Sequence, residues 1–208
     1  LYDWSGYKRD MALLYRDRGE DEAVSRYHQE ALDLLDRALT LLPKMPTMQR
    51  VDYLECKSVL HNMVGAYDDA DVLLAQADEI MQTIQVPEYG QVLCARIALQ
   101  WGIIFLYRDQ NPQKALTQMA IALTRTYIFG REHQAQQTIE QEVARCLKDI
   151  SDVFPQELLH FRQDTETEQL YVVADDLPYQ NLVTVKWEDA WEHSISFINE
   201  HIASLLNN

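Results

Sequence analysis

The side chains suited to chemistry are scattered along this sequence rather than grouped. Glu157 and His160 form a Glu-x-x-His pair, the spacing of di-iron carboxylate bundles, but such a centre needs a second pair and two more carboxylates. The sequence has no second copy, so His160 reads as a surface or interhelix residue. His193 and His201 stand eight residues apart, too far along one helix to hold one ion together. Asp68, Asp69 and Asp71 are accounted for by a helix start, where the helix dipole favours negative charge. Cys56, Cys94 and Cys146 match no zinc or disulfide spacing, and no histidine stands beside them to activate a thiolate. A phosphate-cradling glycine loop, a nucleophile elbow and a His-Glu-x-x-His zinc helix are all missing from the sequence. These residues therefore predict no catalytic group, no metal, no cofactor and a role other than an enzyme's.

Charge narrows the partners. Among 208 residues there are 33 acids and 18 bases, a net charge of −15. A protein so acidic lacks the basic face that phosphate contacts require, which excludes nucleic-acid binding by bulk electrostatics. The excess is uneven: residues 164–208 carry nine acids and one base, whereas 111–163 are balanced at six of each. That acidic end reads as a solubilising segment, with contact to a basic surface as the sharper alternative. A composition 47% hydrophobic with only six Gly and six Pro supports a buried core and argues against a turn-rich β fold. Apolar runs are too short to span a membrane. Widely spaced cysteines point to a reducing compartment, hence a cytoplasmic location. No secretory leader is read, and the opening at Leu1 rather than Met reads as a fragment of a longer protein.

The elements that must position any binding residue come next. Pro43, Pro46, Pro87, Gly90 and Gly130 mark breaks roughly 43 residues apart, and a second series runs through Gly19, Gly65 and Asn111-Pro112, 46 residues apart. Two interleaved series of similar period predict one helical hairpin repeated. After Gly19, apolar residues fall at Val24, Tyr27, Ala31, Leu34, Leu35, Ala38, Leu41 and Leu42. After Gly65 they fall at Ala70, Leu73, Leu74, Ala77, Ile80, Met81 and Ile84, and after Asn111 at Ala115, Met119, Ala122 and Leu123. Steps of three and four define helices with one buried face. Asn111 is suited to N-cap a helix that Pro112 opens. Residues 91–107 are apolar almost all round, as in a helix packed on several sides. Residues 131–152 carry one stripe (Ala135, Ile139, Val143, Cys146, Leu147, Ile150), as befits a helix near the end of an array.

These segments resemble tetratricopeptide repeats. HNMVGAYDDADVLLAQADEIM (61–81) carries Gly65, Ala70, Leu74 and Ala77 in the family's register. WGIIFLYRDQNPQKALTQMAIAL (101–123) follows through Gly102, Ala115, Met119 and Ala122 with one extra residue in the turn, and 15–35 keeps Gly19, Tyr27 and Ala31. The period is about ten residues longer than the usual unit, so the resemblance is to the long-helix variant found in regulatory arms of signalling ATPases and in peptide-sensing regulators. It implies an all-α, right-handed superhelical array of antiparallel hairpins, at about 2–42, 47–84, 89–128 and 131–163. The family's groove positions project onto Arg9, Leu13, Arg16, Asp52, Glu55, Val59, Asn62, Trp101, Phe105 and Arg108. Arg9, Arg16 and Arg108 are the groove's candidates for pairing acidic groups, because Arg presents a planar fork to carboxylates. The family's carboxylate clamp needs lysines where this sequence has Arg9, Glu55 and Trp101, which argues against capture of a free C-terminus. Trp101 and Phe105 also have a plain reading as core.

Residues 164–208 form a second region. The β-prone runs Leu170–Val173 and Leu182–Val185 around DDLPYQN predict a small hairpin or extended strap. Residues 187–206 predict an amphipathic helix with the stripe Trp187, Trp191, Ile195, Ile198, Ile202 and Leu205, read as a cap over the last hairpin or as a helix that occupies a groove. The expected function is a scaffold that binds a protein or peptide, or other domains of its own longer chain, in the concave groove, and self-association is compatible with it. The alternative is the ligand-sensing arm of a multidomain signalling or transcription regulator.

Overall fold

A computed structural model describes residues 2–42, 47–84, 86, 90–129, 133–166 and 184–207. Among them every regular element is a helix and there is no strand. The chain divides into two compact units, Leu1–Gln85 and Val86–Asn208.

The first unit holds α1 (Tyr2–Asp17), α2 (Asp21–Leu41), α3 (Met48–Met63) and α4 (Tyr67–Thr83), each packed on the next. Short connections between packed neighbours make α1/α2 and α3/α4 helical hairpins. Their common core gathers Ala31, Leu32, Leu35 and Ala38 of α2 with Tyr53, Cys56 and Leu60 of α3. His28 on α2 ties the hairpins together by donating from Nε2 to the Leu60 carbonyl at 2.8 Å. Lys57 and Asp36 pair across the same helices at 2.5 Å.

The second unit holds α5 (Gln91–Tyr107), α6 (Pro112–Phe129), α7 (His133–Val153), α8 (Pro155–Glu166) and α9 (Thr184–Leu206). As its all-round apolar sequence predicts, α5 is buried on most faces. The α7 stripe is buried from Ile139 through Val143, Cys146 and Leu147 to Ile150. Asn111 caps α6 as expected, its Oδ1 accepting the Lys114 amide at 3.0 Å. Packed on α6, α7 and α8, α9 belongs to the helical body.

The hairpin turns are alike. Gly19 and Gly65 have φ of +71° and +75°, the left-handed conformation that Gly adopts at no steric cost. Around Gly19, the Glu20 amide donates to the Tyr15 carbonyl at 3.0 Å; around Gly65, the Ala66 amide donates to the His61 carbonyl at 2.9 Å. Both are Schellman closures of a first helix. In the third hairpin Gln110 takes the left-handed place at φ +50°, and the Asn111 amide reaches one residue further back, to Phe105, at 2.8 Å. That is the extra turn residue read from the sequence.

Counted from these three positions, the second helices keep one register. Twelve residues on stand Ala31, Ala77 and Ala122, each 0% exposed. Sixteen on stand Leu35, Met81 and Thr126, all buried. Five on stand Val24, Ala70 and Ala115, of which the two alanines are fully buried and Val24 half-buried. Small residues at the crossing let paired helices approach closely, and Gly102 shows how closely: a Cβ there would lie 3.3 Å from the Ala115 carbonyl oxygen.

In the C-terminal region the structure differs from expectation at one edge of the strap and in the buried face of the last helix. The strap expected at 164–186 falls mainly on 167–183, outside the described residues. At its edges, 164–166 close α8 and 184–186 open α9, so the run Leu182–Val185 ends inside a helix. A 23-residue amphipathic helix outweighs the modest β preference of Thr and Val. The buried stripe of α9 is also turned from the one expected: Ala190, Ser194, Ile198 and Ile202 are buried, whereas Trp191, Ile195 and Leu205 are half-buried. The Trp187 side chain lies outside the described residues.

Candidate functional site

The candidate binding residues sit on first helices, and each unit carries its own set. In the first unit, Arg9 on α1 turns its guanidinium back onto Asp10, with Nε and Nη2 donating to Oδ1 at 3.1 and 2.9 Å. Arg16 and Leu13 lie on α1, but their side chains are outside the described residues. Asp52 and Glu55 on α3 do come together: three residues apart, they share one helix face with Cys56, and the donor atoms of the three lie within 4.8 Å of one another. Glu55 is 1% exposed, and all three side chains are already engaged in interactions within the chain. Asn62, buried in the last turn of α3, accepts the Gly65 amide on its carbonyl at 3.2 Å and so belongs to the turn closure.

In the second unit, Trp101 and Phe105 stand one turn apart on α5 and stack with ring centres 5.9 Å apart and planes 22° from parallel. Both are half-buried rather than sealed in the core, so one edge of this shelf is accessible. Arg108 closes α5 and is held by Asp109, Nε donating to Oδ1 at 2.7 Å. Sequence reading missed a further member. Lys114, in the first turn of α6, lies with Nζ 5.5 Å from the Phe105 ring centre, a cation–π contact. No periodicity links Phe105 to Lys114, because the turn between their helices sets that distance.

Arg125 was also not legible as special. At 1% exposure it is the largest fully buried side chain among the described residues, donating to Gln91 Oε1 at 2.5 Å. Arg9 and Arg108 both face a carboxylate one residue on, whereas Arg18 and Arg26 rest on the stacked Tyr15 and Tyr27 rings, 5.8 and 4.9 Å from their centres. Tyr15 and Tyr27 lie 5.3 Å apart and nearly parallel, which joins α1 to α2.

The titratable groups are set by burial. The Cys146 thiol is pushed up to about 12 by burial, which keeps it protonated and unreactive. Tyr107 is raised by burial and by its hydrogen bond to Asp149. His61 is lowered, chiefly by burial, against the opposing pull of Asp69 with Nδ1 and Oδ2 3.8 Å apart. Among the described residues no helix is long and apolar enough to cross a membrane. No protein-family model matches this sequence, and neither curated proteins nor solved structures give a match.

Proposed function

We propose that the chain is a long-helix, tetratricopeptide-like array whose first helices line a groove for a protein or peptide partner. The observation that carries this reading is the shared register of the three hairpins. Left-handed residues at 19, 65 and 110 are each followed by a fully buried alanine twelve positions on. Within a unit, hairpins in such a register present a row of first-helix residues. Recognition on such a row is non-covalent: half-buried aromatic side chains anchor apolar groups, and nearby cations orient carboxylates. A peptide panel titrated against the intact chain tests the reading. Saturable binding at one peptide per chain, weakened by Trp101→Ala with helicity unchanged, is the expected result. A panel that fails throughout, or binding indifferent to Trp101, would contradict it.

A further inference from the structure

The groove positions read from sequence do not include the residue that gives the second unit's aromatic shelf its chemistry. Lys114 is exposed, its Nζ is 5.5 Å from the Phe105 ring, and among the described residues no carboxylate lies within ion-pair distance of it. Arg108 is held by Asp109, so among the described residues of this shelf the cation outside an ion pair is Lys114. It stands in the first turn of α6, where the positive end of the helix dipole adds to it. Trp101 and Phe105 supply the adjoining apolar surface.

We propose that this shelf docks a short acidic peptide segment of a partner protein, an apolar side chain lying on the Trp101–Phe105 rings while a neighbouring carboxylate meets Lys114. The inference rests on the scaffold reading and adds the partner's chemistry to it. Charge complementarity selects the occupant: Lys114 places a cation beside the rings, whereas the net charge of −15 repels an extended polyanion such as nucleic acid. A peptide with one or two carboxylates feels mainly charges within a Debye length, roughly 8–10 Å at ordinary salt.

Three synthetic peptides test this by fluorescence anisotropy: phenylalanine flanked by aspartates, the same peptide with asparagines, and the same with lysines. The aspartate peptide is expected to bind tightest, and Lys114→Glu to weaken it on the order of tenfold while favouring the lysine peptide. Lys114→Arg should restore the preference, and Phe105→Leu should weaken the aspartate and asparagine peptides together. Lys114 is exposed, so its variants keep the fold, checked by far-UV circular dichroism. Equal binding of the aspartate and asparagine peptides, or a preference untouched by Lys114→Glu, overturns the acidic-partner inference while the scaffold reading stands. Failure of all three to bind also overturns it, and the wider peptide panel then decides the scaffold reading separately.

Discussion

Thr124 Oγ1 on α6 and Ser194 Oγ on α9 lie 2.9 Å apart, both side chains wholly shielded from solvent. The Ala120 and Ala190 carbonyls, four residues earlier on each helix, also lie 2.7 Å from the two hydroxyls, so one hydroxyl donates to the other while the accepting one donates back to its own helix carbonyl. The pair therefore fastens α9 to the second helix of the third hairpin by a buried polar contact, and Ile198 and Ile202 are buried further along α9. Ser194→Ala is expected to cost about 1 kcal/mol, and Ser194→Leu about 1–3 kcal/mol through overpacking. A cycle with Thr124→Val should show coupling, measured by urea unfolding; strictly additive effects would mean that the two hydroxyls do not hold the helices together.

The left-handed turn positions give predictions of opposite sign. Gly19→Ala and Gly65→Ala each force a Cβ into positive φ and should destabilise by about 1–2 kcal/mol. Gln110→Gly relieves the same penalty in the third hairpin and should stabilise by about 1 kcal/mol. Melting of the three variants side by side checks the claim, and loss of stability in Gln110→Gly would show that the Gln110 side chain has a role of its own.

Gly102→Val tests close packing in the second unit. Its Cβ would press on the Ala115 carbonyl oxygen and its further methyls on Met119, and both belong to a packed helix face with little room to move. A loss of about 1–3 kcal/mol is expected despite the better helix propensity of Val over Gly. An unchanged unfolding midpoint would mean that α5 and α6 are not held at this distance.

Acidification should weaken the first unit through His61. Because burial lowers its pKa below the ordinary 6.5, the fold favours neutral imidazole while the unfolded chain accepts a proton at the usual pH. Stability from this group is thus present above about pH 6.5 and is lost as pH falls through the lowered value. His61→Gln should show a shallower decline in urea midpoint between about pH 7.5 and 5.5 than the parent chain. Parallel declines would remove His61 from the account.

The helical architecture was legible because hairpin turns and buried stripes leave local marks. Gly19, Gly65 and the Asn111-Pro112 pair announce turns, and the alanines at 31, 77 and 122 follow at fixed distances. Binding chemistry was only partly legible. Stacking of Trp101 on Phe105 follows from one-turn spacing along a helix, but Lys114 reaches Phe105 across a turn, and sequence distance does not encode that approach. Arg9 and Arg108 looked available to a partner until Asp10 and Asp109 were seen to hold them. The stripe of α9 misled because Ser194, polar in composition, is buried by its bond to Thr124. A hydroxyl satisfied by a neighbour counts as core, and periodicity in hydrophobic residues cannot reveal it.

Photo-cross-linking with a benzophenone-bearing aspartate–phenylalanine peptide, followed by mass-spectrometric mapping, tests the central claim most directly. Adducts should concentrate on first helices, with Trp101, Phe105 and the start of α6 around Lys114 foremost, and should be displaced by excess unlabelled peptide. Displaceable adducts confined to α2, α4 or α9 would put the binding surface on the opposite helices and contradict the account.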